Sequence, residues 1–464
     1  MQPGIGRRHL LALVPALLVL GAGPCPYPRH PGVRITLDAG RTYQRLDGIG
    51  GSAANEDALR GMPEPDRSAV MDRVFGDLEP SVVRIKPRPA MEPTNDNDDP
   101  AVALPDGFVP PADHLWQLEE IFARGSPHLL AALWTPPAWM KGNGSEIRGS
   151  LAAGMEAELA EFFSVYVGFL EDAGYALDAL SIQNEPEAAS PWDSCYYTPP
   201  RYAAAAEAIA QRLAADGRSV PLHAPDNAIA SFAPIYLAEL LAQPTAGPAT
   251  AAVAFHHYQY GYYQTEEIAA SVAALAGAIP PGLPLWMTEF SNTTGIDYGG
   301  WDEALAQAEL LHATLVGGAS LYAMWNLYRP GGPGEALVVI PTTAGTPGFT
   351  VTPKYWTLRH YTKWVRPGSW RIEATSGDVD VLASAWHDPA AETVTAVLVN
   401  RHAEARWAVF EGAPLGPVLR VVRSSEDGPG VEVPPDSSER FGERAVVLPA
   451  RSVVTVVWQA AGVD

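Results

Sequence analysis

Short apolar runs recur along the chain at regular intervals. They fall at residues 47–52, 82–86, 128–135, 180–185, 221–225, 253–258, 285–290 and 320–326, and each ends in polar and aromatic residues. Their lengths suit buried strands better than helices. Between most of them the apolar positions take helical spacing, as at 156–173, 200–215 and 301–316. Eight strand–helix units predict an α/β fold, a (β/α)8 TIM barrel with its active site at the C-terminal ends of the strands. A doubly wound open sheet is the rival. It calls for a glycine-rich phosphate turn after an early strand, and Gly48-Ile49-Gly50-Gly51-Ser52 lacks the G-x-G-x-x-G spacing.

After residue 362 the texture changes. The runs at 379–386, 393–400, 407–411, 419–423, 444–448 and 452–459 are short, β-branched and alternating, and turn clusters such as Glu426-Asp427-Gly428-Pro429-Gly430 separate them. This predicts a β-sandwich of about a hundred residues. An earlier alternating stretch, 33–44, has no place in the barrel order and is expected to pair with the sandwich. The division read from the sequence is a leader at 1–28, a strand joining the sandwich at 29–46, the barrel at 47–361 and the sandwich at 362–464.

The leader has its own signature. Arg7-Arg8 precede an apolar run at 9–23 that ends in small residues and is interrupted by Pro15. A charged start, a short apolar core and a small-residue end form a secretory signal. The run is too short for a membrane span, which takes ~20 residues. A secreted protein without stable membrane insertion is expected. The paired arginines fit a twin-Arg route, and Pro24 argues against a lipid anchor at Cys25. With only Cys25 and Cys195, no disulfide framework or four-cysteine zinc site can be built.

Charge narrows the partners. The 464 residues carry 31 Lys and Arg against 53 Asp and Glu, a net charge of −22. Such a surface repels phosphate backbones and anionic headgroups, which excludes nucleic acid as a partner. The acidic run Asn95-Asp96-Asn97-Asp98-Asp99 lacks the glycine and distal glutamate of an EF-hand loop and reads as a solvated βα loop.

Two carboxylates stand out. Glu185, in Gln183-Asn184-Glu185-Pro186, closes the fourth run, and Glu289, in Trp286-Met287-Thr288-Glu289, closes the seventh. Strands four and seven of a closed barrel face each other across its mouth, so the two carboxylates can flank one bond. Glycoside hydrolysis needs that arrangement, and a carboxyl separation of ~5–5.5 Å belongs to retaining enzymes. No H-E-x-x-H, G-x-S-x-G or P-loop is present, and no cofactor or metal is implied.

These stretches, with Leu46-Asp47-Gly48-Ile49-Gly50-Gly51-Ser52, Trp134-Thr135-Pro136-Pro137-Ala138-Trp139-Met140-Lys141, His256-His257-Tyr258 and the 361–368 segment, resemble glycoside hydrolase family 30. The resemblance runs from about residue 33 to the end. It belongs with retaining β-glycosidases that carry the acid/base after strand four and the nucleophile after strand seven. It implies Glu185 as acid/base and Glu289 as nucleophile. Arg84, at the end of the second run, is the expected cationic partner that lowers the pKa of Glu289. Asn184 is expected to bind the sugar 2-hydroxyl, Tyr258 to donate to Glu289, and His256 or His257 to orient a carboxylate or a hydroxyl.

Sugar faces stack on aromatic rings. Trp134 and Trp325 are the candidates for the floor and wall of the sugar site, and Trp192 with Tyr196-Tyr197 for the loop after strand four. The family acts on glucosylceramide, β-1,6-linked glucans and galactans, and xylans. Residues 192–198 resemble the loop after the acid/base in the xylanase branch. That branch's glucuronate-reading segment carries a Lys-Arg pair, whereas Thr352-Pro353-Lys354-Tyr355-Trp356 has no arginine. Ser52-Ala53-Ala54-Asn55-Glu56 also departs from the ceramidase and xylanase branches. The expectation is a monomeric retaining β-glycosidase acting on an oligo- or polysaccharide, with xylan-type chains ahead of glucosylceramide or β-1,6 substrates. A non-catalytic carbohydrate-binding protein is the alternative of a different class, and a transglycosylase would use the same two carboxylates.

Overall fold

The computed structural model describes residues 32–109, 112–259, 265–292, 299–412, 415–435 and 444–461. The leader at 1–28, with Cys25, lies outside the described residues. β1 spans Val33–Arg45. Eight parallel strands then close into a barrel: β2 Gly48–Ser52, β3 Val82–Ile85, β4 His128–Ala132, β5 Ala179–Ser181, β6 Leu222–Asn227, β7 Thr250–His256, β8 Leu285–Glu289 and β9 Leu321–Met324. β9 pairs with β2 in parallel, Gly48 opposite Leu321, which closes the ring and excludes the open doubly wound sheet.

Side-chain alternation fills the barrel. Val82, Leu130, Ala179, Leu321 and Ala323 form a buried plug, with Trp286 packed against it. Layers of inward side chains of this kind make a barrel interior a packed core and leave its chemistry to the rim. The glycines of β2 serve packing: a Cβ on Gly50 would lie 1.9 Å from the Val82 carbonyl oxygen. The helices Glu156–Asp172, Pro199–Ala215 and Trp301–Val316 lie over the outer surface and bury most of their apolar residues. A three-stranded sheet, β10 Tyr328–Pro330, β11 Val338–Ile340 and β12 Thr350–Val351, follows the last barrel strand.

The remaining strands are β13 Trp370–Ser376, β14 Val381–Asp388, β15 Thr393–Asn400, β16 Arg406–Gly412, β17 Leu415–Ser425, β18 Gly428–Val433, β19 Ala445–Leu448 and β20 Ser452–Ala460. With β1 they form one nine-stranded sheet in the order β18-β17-β20-β15-β14-β13-β1-β16-β19. The sheet curls onto itself: Phe410 of β16 meets Trp458 of β20 edge-on at 4.7 Å, although four strands intervene. The result is the two-layered sandwich. β1 pairs antiparallel with β13 and parallel with β16, so the early strand is built into this domain. Two strands escaped the sequence pattern. β13 carries few apolar residues, and β18 overlaps the predicted turn cluster, because the turn itself is only Glu426-Asp427, with Ser425 paired to Gly428.

The two domains are bolted together. His360, on the helix Pro353–Thr362, reaches Thr455 Oγ1 at 2.7 Å and Ser424 Oγ at 2.8 Å, and Trp301 Nε1 donates to the Arg451 carbonyl at 2.6 Å. No helix among the described residues is long and apolar enough to cross a membrane.

Candidate active site

The site grows from Arg84. Alternation on β3 turns Val82 and Arg84 inward, and Arg84 is wholly buried above the apolar plug. Its Nη1 donates to Glu289 Oε2 at 2.7 Å, and its Nη2 to Asn184 Oδ1 at 2.6 Å and Asp226 Oδ2 at 2.8 Å. The guanidinium also lies 4.5 Å from the centre of the Trp134 ring. One cation thus ties together side chains from or next to β3, β4, β5, β6 and β8. A buried guanidinium is tolerable only with such partners, and its planar fork can serve several acceptors at once.

Glu185 and Glu289 face each other, with His256 beside them. One oxygen of each carboxylate and a His256 nitrogen all lie within 4.8 Å of one another. Glu185 follows β5 with a left-handed backbone, φ 52°, and its amide donates to the Asp226 carbonyl at 2.9 Å. A non-glycine residue in that region is costly and persists only where its surroundings hold it. Glu289 accepts from Tyr258 Oη at 3.0 Å on Oε1 while Arg84 holds Oε2. His256 reaches Glu185 Oε1 with Nδ1 at 3.2 Å and Asp226 Oδ1 with Nε2 at 3.4 Å.

Charge in the site is balanced internally. Burial disfavours the His256 cation, but Glu289, Asp226 and Glu185 outweigh it and hold the imidazole up to about 10. Burial likewise opposes the Asp226 anion, yet Arg84 and His256 keep its carboxyl well below the ordinary range. Burial raises the Glu289 carboxyl above an ordinary glutamate; His256 and Arg84 pull it back while Glu185 pushes it up. Arg84 therefore acts in the direction expected from sequence, but the loss of water outweighs it. Glu185, His256 and Glu289 are the side chains here that could face a metal. The imidazole and guanidinium already supply the positive charge between them.

A cleft of about 510 Å³ opens above these groups. Trp134, Asn184, Glu185, Trp192, Tyr258, Glu289 and Trp325 all line it. Trp134 and Trp325 meet at 5.2 Å with planes tilted by 32°, and Trp192 stands exposed at the rim. Walls of apolar rings with a few convergent polar groups are what a sugar site offers.

The chain is similar to β-glycoside hydrolases of family 30. It is 26% identical over 345 residues to the glucuronoxylanase XynC of Bacillus subtilis (strain 168), covering 71% of this chain and 73% of that protein. The catalytic domain of the GH30 xylanase C of Talaromyces cellulolyticus has the same fold, with TM-score 0.77 and 20% identity over 92% of this chain and 99% of that one. An endo-β-1,6-glucanase aligns with TM-score 0.73 and 20% identity, over 92% of this chain and 94% of its own. No family model matches the chain.

Two of the residues singled out from sequence lie elsewhere. Tyr197 is 1% exposed and packs edge-on to Tyr202 in the core, and its carbonyl accepts from Tyr236 Oη at 2.6 Å. Its neighbour Tyr196 is the exposed member of the pair. His257 is buried on the opposite side of the strand from His256, against the Phe255 ring at 5.2 Å. Burial and the charge of His256 push it down to about 3, so its ring is neutral.

The sequence reading passed over Asp226, the junction of Arg84, His256 and Thr288. The available signal is a lone acidic residue at the end of a barrel strand, one position beyond the 221–225 run. It also passed over Lys86 and Asp193, an ion pair at one side of the cleft, and Arg329 with Glu335 at another. The Lys354 of the Thr352–Trp356 stretch is not in the cleft. It is buried between the helices Pro353–Thr362 and Trp301–Val316, paired with Glu303 at 2.6 Å.

Proposed function

We propose that the chain is a secreted retaining glycoside hydrolase of the family-30 kind, cleaving β-glycosidic bonds of a xylan-type glycan by double displacement. The observation that carries the mechanism is the gap between Glu185 and Glu289, whose facing oxygens lie within 4.8 Å. Retaining enzymes keep their carboxyls ~5–5.5 Å apart, whereas inverting ones leave ~6.5–9.5 Å for a water.

In the first step Glu185 gives its proton to the leaving oxygen while Glu289 attacks the anomeric carbon. The glycosidic bond breaks and a glycosyl–Glu289 ester forms. In the second step the Glu185 carboxylate takes a proton from water, the water oxygen attacks the anomeric carbon, and Glu289 is released. Arg84 and Tyr258 hold one Glu289 oxygen each, which aims the carboxylate and favours its anion. Asn184, fixed by Arg84, can turn its amide N–H toward the sugar 2-hydroxyl, a contact that tightens in the transition state. Trp134 and Trp325 supply the stacking surface.

The xylan preference rests on the likeness to xylanases and on the 192–198 loop. The buried Lys354 and the missing arginine beside it speak against dependence on glucuronate side groups. The leader supports export, and the chain is proposed to act as a monomer. The test is a hydrolysis panel of xylan, glucuronoxylan, β-1,6-glucan, β-1,6-galactan and aryl β-glycosides, with Glu185→Ala and Glu289→Ala alongside. Cleavage of xylan with comparable rates on unsubstituted and glucuronate-bearing chains is expected. Preference for a β-1,6 substrate would move the specificity. Glycan binding without cleavage of any panel member would favour a carbohydrate-binding protein.

A further inference from the structure

A second carboxylate cluster lies outside the cleft and takes no part in the proposed reaction. Glu92 follows the turn Pro89–Met91 in the loop after β3, Asp96 lies four residues on, and Glu161 projects from the helix Glu156–Asp172. One oxygen from each lies within 4.8 Å of the others. Glu92 and Glu161 are both 0% exposed. None of their four carboxylate oxygens has a hydrogen-bond partner among the described residues, and the same is true of one oxygen each on Asp96 and Glu158. The other Asp96 oxygen accepts from the Leu104 amide at 2.6 Å.

Buried carboxylates are normally hydrogen-bonded or paired, because an isolated one is among the costliest groups to remove from water. Here two or more share one pocket and no donor answers them. The basic group whose charge bears on Glu161 is Arg212, which is committed to Asp216 at 2.6 Å and to the Pro100 carbonyl. The cluster is relieved either by protons or by a cation.

We propose that Glu92, Asp96 and Glu161 bind a divalent cation, calcium, which clamps the loop after β3 onto the helix after β4. The donors are all carboxylate oxygen, with no imidazole or thiolate among the three, and hard oxygen-rich sites take calcium or magnesium ahead of zinc. Three carboxylates that can each bind through one or two oxygens suit the flexible, six-to-eight-oxygen shell of calcium better than the strict octahedron of magnesium. The clamp has a route to the cleft wall. The Glu92 carbonyl accepts from Trp139 Nε1 at 3.0 Å, and Lys141, two residues further on, donates to the Ser194 carbonyl at 2.7 Å beside the Trp192–Asp193 rim. The ion is thus structural, steadying the wall rather than taking part in bond cleavage.

The full chain, stripped with a chelator, is titrated with calcium chloride by calorimetry and melted with and without calcium, at about pH 9.5, because burial and the neighbouring carboxylates push the Glu92 carboxyl up to about 9. One ion per chain is expected, with Tm rising by about 3 °C or more at saturation. Glu161→Gln and Glu92→Gln should each abolish the calcium shift. Asp96→Asn, at the less buried edge, should fold and lower the affinity at least about tenfold. Absence of both heat and Tm shift up to about 10 mM calcium would overturn the proposal in favour of shared protons. A calcium shift that persists undiminished in all three variants would overturn it equally.

Discussion

His256 and Glu185 are joined by a 3.2 Å contact between Nδ1 and Oε1, and the other imidazole nitrogen turns to Asp226. A histidine so placed works as a buried cation that fixes the direction of the Glu185 carboxyl. Its raised value gives a signed pH prediction. A group held above its unfolded value of 6.5, here to about 10, contributes stability that is complete below 6.5 and is lost as pH rises through about 10. The stability difference between wild type and His256→Asn, from urea unfolding at several pH values, should be greatest below pH 6.5 and shrink between 6.5 and 10. A difference independent of pH would contradict the assignment.

Arg84 is the second lever. Arg84→Met removes the partner of two buried carboxylates at once, Asp226 and Glu289. Breaking a buried pair from one side costs about 3–5 kcal/mol, so the variant should melt well below wild type and lose nearly all activity. Asp226 adds a signature of its own. Its carboxyl is held well below its usual 3.8, so the stability it contributes is present above that value and is lost as pH falls through its depressed one. In Asp226→Asn the acid side of the stability profile should flatten.

Tyr258→Phe isolates one hydrogen bond. The Oη–Oε1 contact of 3.0 Å disappears while the ring, stacked with Phe290 at 5.5 Å, can stay. Steady-state kinetics should show kcat reduced by about 10–1,000-fold, with thermal stability changed little.

The aromatic residues after β5 make a paired contrast. Trp192 is 54% exposed at the rim, whereas Tyr197 is in the core. Trp192→Ala should raise KM and leave the melting temperature nearly unchanged. Tyr197→Ala should cost about 3–5 kcal/mol of stability, in line with deletion of a large buried ring, while Tyr197→Phe keeps wild-type KM.

The barrel was legible because its strands are continuous apolar runs at even spacing and its helices carry their own period. That Glu185 and Glu289 would meet followed from counting strands, since the fourth and seventh lie across the mouth of a ring of eight. What lay hidden was direction. Tyr196 and Tyr197, like His256 and His257, are adjacent and chemically alike, and only the backbone decides that Tyr196 is exposed while Tyr197 is in the core, and that His256 meets the carboxylates while His257 turns away. Asp226 was obscured for another reason: the sequence Leu222–Asn227 carries no motif, and its left-handed residue, φ 68°, turns the chain after the point where the apolar pattern ends. In the sandwich, β18 was hidden by glycine and proline that signal a turn but here sit in a strand at the end of the sheet order.

The central claim is that Glu289 forms the covalent bond and Glu185 handles the proton. The most direct measurement is azide rescue of Glu289→Ala on an activated aryl β-xyloside, with the product's anomeric configuration read by proton NMR. Azide can enter the space of the missing carboxylate and attack from the face that Glu289 would have used. The account predicts an inactive variant that regains turnover with azide and yields an α-configured glycosyl azide, while Glu185→Ala under the same conditions gives the β-azide. A Glu289→Ala variant with undiminished activity, or one whose rescue gives the β-azide, would contradict it.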